Sequence, residues 1–468
     1  MTTHKTAEAV PQSGALAMFR EQLDLVRCVL SGATERTRMQ RDVVVAFSVR
    51  VASAAILYLS QIMLARWMGG FEYGVYVSVW TWVLILGGLS HLGLGMGVIR
   101  LLPAYVENGR LDLHRGLMFG SRVLAFCTGT LLATLALASV WLLGDRIHGP
   151  YILPLCIALA CVPIFAVTDV QDGIGRGKAW IALALLPPYV MRPLVLLAAL
   201  VTAHEMGLPL DASSAAVAAI FATWITGLVQ LLLINRRAAA AMPAGPRTFA
   251  LRSWLATSAP LLVIGMCEIV MQTADVLIVS RYLSPTEVGI YFAAAKTMSL
   301  VLFVHYAVGS AAANRFSTLH ARGDRAALQP LVADAVRWTF WPSLAAAAVL
   351  LALGWPLLRL FGPAFLAGYP VMFILVLGFL FRAAMGPSEF LLNMMGQQRL
   401  CAIVLAITAA LNISLNFALV PHFGLNGAAA ATTLALVFAA TMNNLVARHR
   451  LGIKLSILAN LRASRSAP

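Results

Sequence analysis

Residues 61–82, QIMLARWMGGFEYGVYVSVWTW, and residues 276–297, VLIVSRYLSPTEVGIYFAAAKT, decide the fold because they share one pattern. Each has Arg, an aromatic and an aliphatic residue, three free positions, then Glu, any residue, Gly, any residue and Tyr. The offset of 215 pairs Arg66 with Arg281, Trp67 with Tyr282, Glu72 with Glu287, Gly74 with Gly289, Tyr76 with Tyr291, Arg100 with Arg315, and Arg110 with Arg325. This register predicts a duplicated chain. Such residues are also common at span ends, so the motif allows a structural interpretation beside direct substrate contact.

The composition identifies the broad class of protein. Apolar residues (Ala, Val, Ile, Leu, Met, Phe, Trp, Tyr and Cys) make up 60% of the 468 residues, and charged residues make up 11%. A soluble domain has about 25% charged residues, so a water-soluble or disordered protein is excluded. We therefore expect an all-α polytopic membrane protein, because backbone polar groups in lipid must be paired within helices.

Apolar runs recur along the chain with the length of about 20 residues that a helix needs to cross a bilayer. Twelve spans are predicted, near residues 43–66, 74–99, 117–143, 150–170, 178–203, 213–235, 255–281, 287–312, 333–353, 365–385, 400–420 and 425–447. The duplication divides them into two pseudo-symmetric six-helix lobes, 43–235 and 255–447, joined by a cytoplasmic linker at 236–254. Basic cytoplasmic tails, 1–42 and 448–468, flank the lobes. Repeats with an even number of spans enter the membrane in the same direction, which predicts a central cavity between them.

Lysine and arginine are distributed unevenly between the two ends of the spans. With both termini in the cytoplasm, 24 of these residues lie on the cytoplasmic side and four on the other, namely Arg66, Arg146, Arg281 and Arg359. Basic residues accumulate on the cytoplasmic side of membrane proteins, so both termini are predicted there. Topology and anionic membrane lipid account for the formal net charge of +15, and nucleic acid is not a predicted partner.

Seven charged residues are predicted at bilayer depth, where a charge normally faces a wet cavity or a partner. The cations are Arg50, Arg122, Arg192, Lys296 and Arg382, and the anions are Glu268 and Asp275. A cleft lined mainly by cations suits an anionic group such as a phosphate or pyrophosphate, so the five cations are candidate substrate-binding residues. Alternatively, they pair within the protein, or Arg122, Arg192 and Arg382 extend towards lipid head groups.

Glu268 and Asp275 are seven residues apart, which places them on one face of a helix. Carboxylates that face the cleft could bind H⁺ or Na⁺ and couple it to transport, or they could pair with nearby cations and only hold helices together. The sequence has no pattern for catalytic residues, a metal site or a cofactor, so an enzyme is not predicted.

The residues around the first copy of the repeat resemble the bacterial polysaccharide-biosynthesis flippases, which export O-antigen and exopolysaccharide repeat units. These proteins belong to the multidrug/oligosaccharidyl-lipid/polysaccharide exporter superfamily. The matching residues are Arg66, Gly69, Tyr73, Gly74, Gly93, Leu94, Gly95 and Arg100, followed by Asp275, Val288, Gly289, Tyr291, Ala295 and Lys296 in the second half, and DGIGR at 172–176. Trp67 and Met68 depart from the family pattern, which often has Leu before Gly.

The resemblance implies a function. It implies transfer of a polyprenyl-pyrophosphate-linked oligosaccharide from the cytoplasmic to the outer leaflet of a bacterial inner membrane, by alternating access coupled to an ion gradient. Polymerases and glycosyltransferases are the implied protein partners. Two alternatives stay open at this stage: a drug or metabolite cation antiporter on the same scaffold, and a membrane enzyme such as a polymerase or glycosyl-lipid ligase.

Overall fold

The computed structural model describes residues 35–144, 149–322, 325–453 and 455–457. Side chains are described from residue 52 onward, except at 143, 314, 320, 321, 325 and 326. The described chain is helical and contains no strand. The predicted all-α class is therefore confirmed, while most of the N-terminal tail and the end of the C-terminal tail lie outside the described residues.

The first half of the chain consists of eight helices with short irregular turns between them. They are α1 (Glu35–Ser90), α2 (Leu94–Glu107), α3 (Leu111–Leu143), α4 (Gly149–Ala158), α5 (Val162–Gly177), α6 (Ile181–Leu186), α7 (Arg192–Glu205) and α8 (Ala212–Ala241). One turn of 3₁₀-helix, Leu159–Cys161, joins α4 to α5, and a π-helical turn, Pro187–Met191, joins α6 to α7. Each pair therefore forms one span with a local distortion.

The second half repeats this organisation. Its helices are α9 (Leu251–Tyr282), α10 (Pro285–Ser299), α11 (Leu302–Arg322), α12 (Arg325–Ala352), α13 (Gly354–Phe361), α14 (Tyr369–Ala384), α15 (Ser388–Met394) and α16 (Gln398–Val446). A 3₁₀ segment, Pro363–Gly368, precedes α14, and a π-helical turn, Ala447–Leu451, follows α16.

Two glycines divide the longest helices. Gly69 in α1 (φ 77°, ψ 167°) and Gly424 in α16 (φ 56°, ψ −133°) have backbone angles that only glycine adopts readily. Ten described helical stretches are long and apolar enough to cross a membrane, and the first and last contain these kinks. Counting the helix on either side of each kink gives twelve spans, in agreement with the prediction.

The segment between the halves is shorter than the predicted linker. Helix α8 continues to Ala241 and α9 begins at Leu251, which leaves residues 242–250 between them. The extension of α8 has a local cause, because residues 238–241 are four alanines and alanine is the best helix former. Pro243 and Pro246 then prevent the helix from continuing.

The two copies of the repeat meet at the end of the molecule that contains Arg66, here called the Arg66 end. A Cβ on Gly74 would overlap the carbonyl oxygen of Pro285, and one on Gly289 would lie 3.1 Å from the Gly70 carbonyl oxygen. Only glycine therefore allows α1 and α10 to approach so closely. The pattern that reveals the duplication is also the contact between its two halves.

Further contacts join the halves near this end. Tyr58 of α1 bonds Thr297 of α10 through their hydroxyl groups at 2.9 Å, and an Arg66 Nη1 donates to the Leu360 carbonyl oxygen at 3.4 Å. Helix α11, which continues from α10 towards the opposite end, packs against α12 and α15 of its own half. The opposite end contains Arg100 and is called the Arg100 end. The lobes are thus closely joined at the Arg66 end.

Candidate functional site

The second copy of the repeat contains a buried carboxylate. Tyr291 Oη donates a hydrogen bond of 2.6 Å to Asp275 Oδ2, and the Val276 amide donates to Oδ1 at 2.8 Å. Asp275 is buried and Tyr291 is fully buried, so α9 and α10 are joined by a charged group inside the membrane-spanning region. A carboxylate in such surroundings needs these donors, because an unpaired buried charge is very costly.

Lys296 lies about one and a half helical turns beyond Tyr291 and, unlike its neighbours, is exposed. Its Nζ lies 5.2 Å from the centroid of the Phe292 ring. Lys296 and Asp275 interact electrostatically, but no oxygen of Asp275 lies within the 4.0 Å of an ion pair. Thr297, next to Lys296, is the residue that bonds Tyr58 of the first half. An exposed ammonium group therefore lies at the boundary between the lobes, in the middle of a span.

The duplication offers an internal control for these charges. At the offset of 215, Asp275 corresponds to Ser60 and Lys296 corresponds to Thr81. Both counterparts are buried, and their hydroxyls donate to the carbonyl oxygens one turn earlier in the same helix. The first half thus forms the same fold with uncharged residues at both positions. The charges of Asp275 and Lys296 are therefore not required by the fold that the halves share.

Arg192 is a half-buried cation of the first half. Its guanidinium carbon lies 5.5 Å from the Trp80 ring centroid and 5.4 Å from that of Phe165. Asp169 interacts with it electrostatically, and an Asp169 oxygen lies 3.9 Å from Nε2 of His91. Within the part of the chain that the structure describes, Arg192 has no ion-pair partner within 4.0 Å. Its guanidinium stays available for an anionic group.

Arg382 lies in a mixed-charge cluster of the second half. An Arg382 Nη2 donates to Glu389 Oε2 at 2.7 Å, and the guanidinium lies 6.0 Å from the Tyr306 ring centroid. Exposed Glu268 interacts electrostatically with both Arg382 and Glu389. Buried His305 also interacts electrostatically with Arg382. Glu389 was not among the predicted site residues, because the tenth span was predicted to end at residue 385, whereas a further helix begins at Ser388.

The remaining candidates lie apart from these groups. An Arg122 Nη1 donates to Asn235 Oδ1 at 2.6 Å, joining α3 to α8, while its Nε and Nη2 are buried without a partner in the described structure. Arg50 lies on α1 eight residues before Tyr58, a rise of about 12 Å, but its side chain is outside the described part of the chain. The structure therefore groups Lys296 with Asp275, and Arg382 with Glu268, and leaves Arg122 separate.

The family model for polysaccharide biosynthesis proteins matches residues 39–320, and the MatE model matches residues 260–418. No curated protein matches the sequence.

Solved structures share the fold at low sequence identity. An inward-facing MATE family multidrug resistance transporter of the MOP superfamily is 14% identical over 90% of this chain and 100% of its own, with a TM-score of 0.71. An outward-facing structure of such a transporter is 15% identical over 89% and 95%, with a TM-score of 0.64. The lipid II flippase MurJ in an inward closed conformation is 14% identical over 90% of each chain, with a TM-score of 0.70.

Proposed function

Since the chain belongs to the polysaccharide biosynthesis protein family, we propose that it is a flippase for a polyprenyl-pyrophosphate-linked oligosaccharide. The main support for an anionic lipid-linked substrate is Lys296, an exposed cation in the middle of a span. The repeat does not require a charge at this position. The oligosaccharide would serve the synthesis of a surface polysaccharide, such as lipopolysaccharide or exopolysaccharide. Transport rather than catalysis is the proposed activity.

The charges of the site support an anionic head group. Lys296 is exposed and Arg192 is half-buried, and neither has an ion-pair partner within 4.0 Å among the described residues; the backbone of Arg50, the third candidate cation, lies on α1. By contrast, Asp275 is buried and bonded to Tyr291, and Glu389 is paired with Arg382. An ammonium group and a guanidinium fork form strong charge-assisted hydrogen bonds with phosphate oxygens.

Alternating access follows from the way the lobes contact each other. The close contact at Gly74 and Gly289 supports a closed Arg66 end, and the excess of basic residues supports a cytoplasmic position for the Arg100 end. We therefore expect the head group to enter from the cytoplasm while the polyprenyl tail stays in the surrounding lipid. Rocking of the lobes would then expose the head group to the outer leaflet of a bacterial inner membrane, with both termini cytoplasmic.

Asp275 and Glu268 are the proposed coupling residues for H⁺ or Na⁺. Asp275 interacts with Lys296, so a cation that neutralised Asp275 would strengthen the net positive charge around a bound pyrophosphate. Glu268 lies beside Arg382 and Glu389 in the second cluster. Glycosyltransferases that build the oligosaccharide and a polymerase that consumes it are the proposed partner enzymes.

Flipping of a labelled polyprenyl-pyrophosphate oligosaccharide in proteoliposomes tests the proposal. A hydrogen bond to a charged group contributes about 1.5–3 kcal/mol, so Lys296→Ala should weaken binding roughly tenfold or more. Lys296→Arg should retain most of the flipping, and Arg50→Ala should lose it as Lys296→Ala does. Lys178→Ala is the matched control, because Lys178 lies between α5 and α6 with its Nζ 3.1 Å from His114 Nε2. Normal flipping in both Lys296→Ala and Arg50→Ala would contradict the proposal.

A cation antiporter is the second candidate, and the exposed carboxylate of Glu268 favours it. Glu268 has no ion-pair partner within 4.0 Å in the described structure and faces the charge of Glu389, an arrangement that suits a cation. Uptake of an organic cation that Glu268→Gln abolishes, with no flipping of the anionic lipid, would establish this alternative.

A further inference from the structure

The linker between the lobes, residues 242–250, is bound to the first half. Arg115 of α3 holds two of its carbonyl oxygens, donating from Nε to Pro243 at 3.2 Å and from Nη1 to Pro246 at 3.5 Å. The Thr248 amide donates to the Asp112 carbonyl oxygen at 3.1 Å. Three hydrogen bonds therefore connect the linker backbone to the first turns of α3.

Side-chain contacts continue this attachment along the same face of α3. A Cβ on Gly116 would overlap the Thr248 carbonyl oxygen, so the linker backbone passes directly over this glycine. The Arg247 guanidinium carbon lies 4.6 Å from the Phe119 ring centroid, and the Phe249 ring lies 3.1 Å from the Cβ position of Gly120. Residues 112, 116 and 120 are four apart, which puts these contacts on one helix face.

The first turns of α9 also belong to this attachment, although α9 is the first helix of the second half. Buried Trp254 donates from Nε1 to Tyr105 Oη at 3.0 Å. Ser258 packs where Gly93 and Gly97 of α2 lack side chains. The chain from the linker to Ser258 is thus packed continuously against α2 and α3.

The far end of α9 is bonded to the second half through Asp275 and Tyr291. Two residues between the ends of α9, Pro260 and Gly265, are poor helix formers. Pro260 lacks an amide donor and removes a hydrogen bond from the helix, and a Cβ on Gly265 would meet no atom within 4 Å. The terminal methyl of Ile269 fills the space beside Gly88 of α1, so this contact with the first half is made by a side chain and not by the α9 backbone.

From these contacts we propose that the linker and the start of α9 move with the first lobe, and that the lobes swing about the Pro260–Gly265 segment inside α9. This inference rests on the proposed alternating access. It places the moving boundary inside a transmembrane helix and makes the linker a fixed part of the first lobe. Arg115 is a positioning residue that holds the linker in place.

Cross-linking distinguishes this arrangement from a freely moving linker. Two pairs of cysteines are introduced separately into a cysteine-free background: Phe119→Cys with Arg247→Cys, and Asp112→Cys with Thr248→Cys. A short, cleavable thiol cross-linker then joins the linker to α3 in each variant. Because these segments are expected to move together, cross-linked protein should flip the labelled lipid as fast as the same protein after cleavage. Loss of flipping that cleavage restores, in both pairs, would overturn the inference.

A control pair across the lobes tests the underlying function separately. Arg66→Cys with Leu360→Cys would join the two lobes at the Arg66 end, where Arg66 contacts the Leu360 carbonyl oxygen. Locking this contact should stop flipping until the cross-link is cleaved. Unchanged flipping with the locked control would overturn alternating access and the inference with it, whereas inhibition by the linker cross-links alone would overturn only the inference.

Discussion

Single residues in the two copies of the repeat have either a structural role or a charge that the fold does not require. Gly74 and Gly289 allow the halves to touch, while Lys296 and Asp275 add charges that their counterparts Thr81 and Ser60 do not have. A duplicated fold constrains both copies equally, so a charge in only one copy points to function rather than to folding. This comparison is stronger evidence than the presence of a charge in an apolar run.

Asp275→Asn separates coupling from structure at this position. Asparagine keeps one oxygen that can accept from the Tyr291 hydroxyl but no second oxygen for the Val276 amide, so it should cost about one hydrogen bond, ~1 kcal/mol, whereas Tyr291→Phe should cost about 1–3 kcal/mol by leaving the buried carboxylate short of a donor. We expect flipping by Asp275→Asn to lose its dependence on an imposed H⁺ or Na⁺ gradient. Unchanged gradient dependence in proteoliposomes would assign Asp275 to structure alone.

The sequence predicts which charged residues lie within spans, but it does not predict the residues with which they form hydrogen bonds or ion pairs. Arg382 is bonded to Glu389, which lies in the next helix, α15. The interruption between these two helices is not revealed by the periodicity of apolar residues. Arg122 extends between α3 and α8 to Asn235, a contact that depends on how two helices are rotated against each other. Such partners follow from packing, which the spacing of residues within one helix does not determine.

At the scale of elements, local chemistry predicts the helix ends better than the breaks within spans. Ser284 and Glu287 form a capping box at the start of α10, as the Ser-x-x-Glu spacing of SPTE allows. The equivalent Glu72 instead accepts a hydrogen bond from the amide of Ala212, at the start of α8. The same motif residue thus caps its own helix in one half and a distant helix in the other, which no local pattern distinguishes.

Pro260→Ala tests the flexible segment of α9. Alanine restores an amide donor and favours helix, so the variant should be at least as stable as the parent protein. If the lobes swing about this segment, a stiffer α9 should slow flipping severalfold while substrate binding stays unchanged. Pro330→Ala in α12 is the matched control, since that proline also lies inside a helix but outside the α9 contacts. Equal flipping rates for both variants and the parent would contradict a hinge at Pro260.

At the scale of the whole molecule, the sequence predicts the span count, the duplication and the division into lobes, because hydrophobic length and internal symmetry are encoded directly. The close approach at one end is a different kind of feature. It depends on Gly74 meeting Pro285, residues of different halves separated by more than two hundred positions. The hydrophobic periodicity of one segment carries no information about the distance between two segments. The contact between the halves could therefore not be predicted from the sequence.

The proposed entry of the substrate from the cytoplasm predicts from which side Lys296 can be reached. In a cysteine-free background that carries Lys296→Cys, a membrane-impermeant thiol reagent should label position 296 from the cytoplasmic side, because the lobes are joined at the Arg66 end. The control is Tyr282→Cys, since Tyr282 is exposed at the Arg66 end and should be labelled from the opposite side. Right-side-out and inverted vesicles provide the two directions. Labelling of position 296 only from the outer side would show that either the orientation or the open end of the cavity is the reverse of the one proposed.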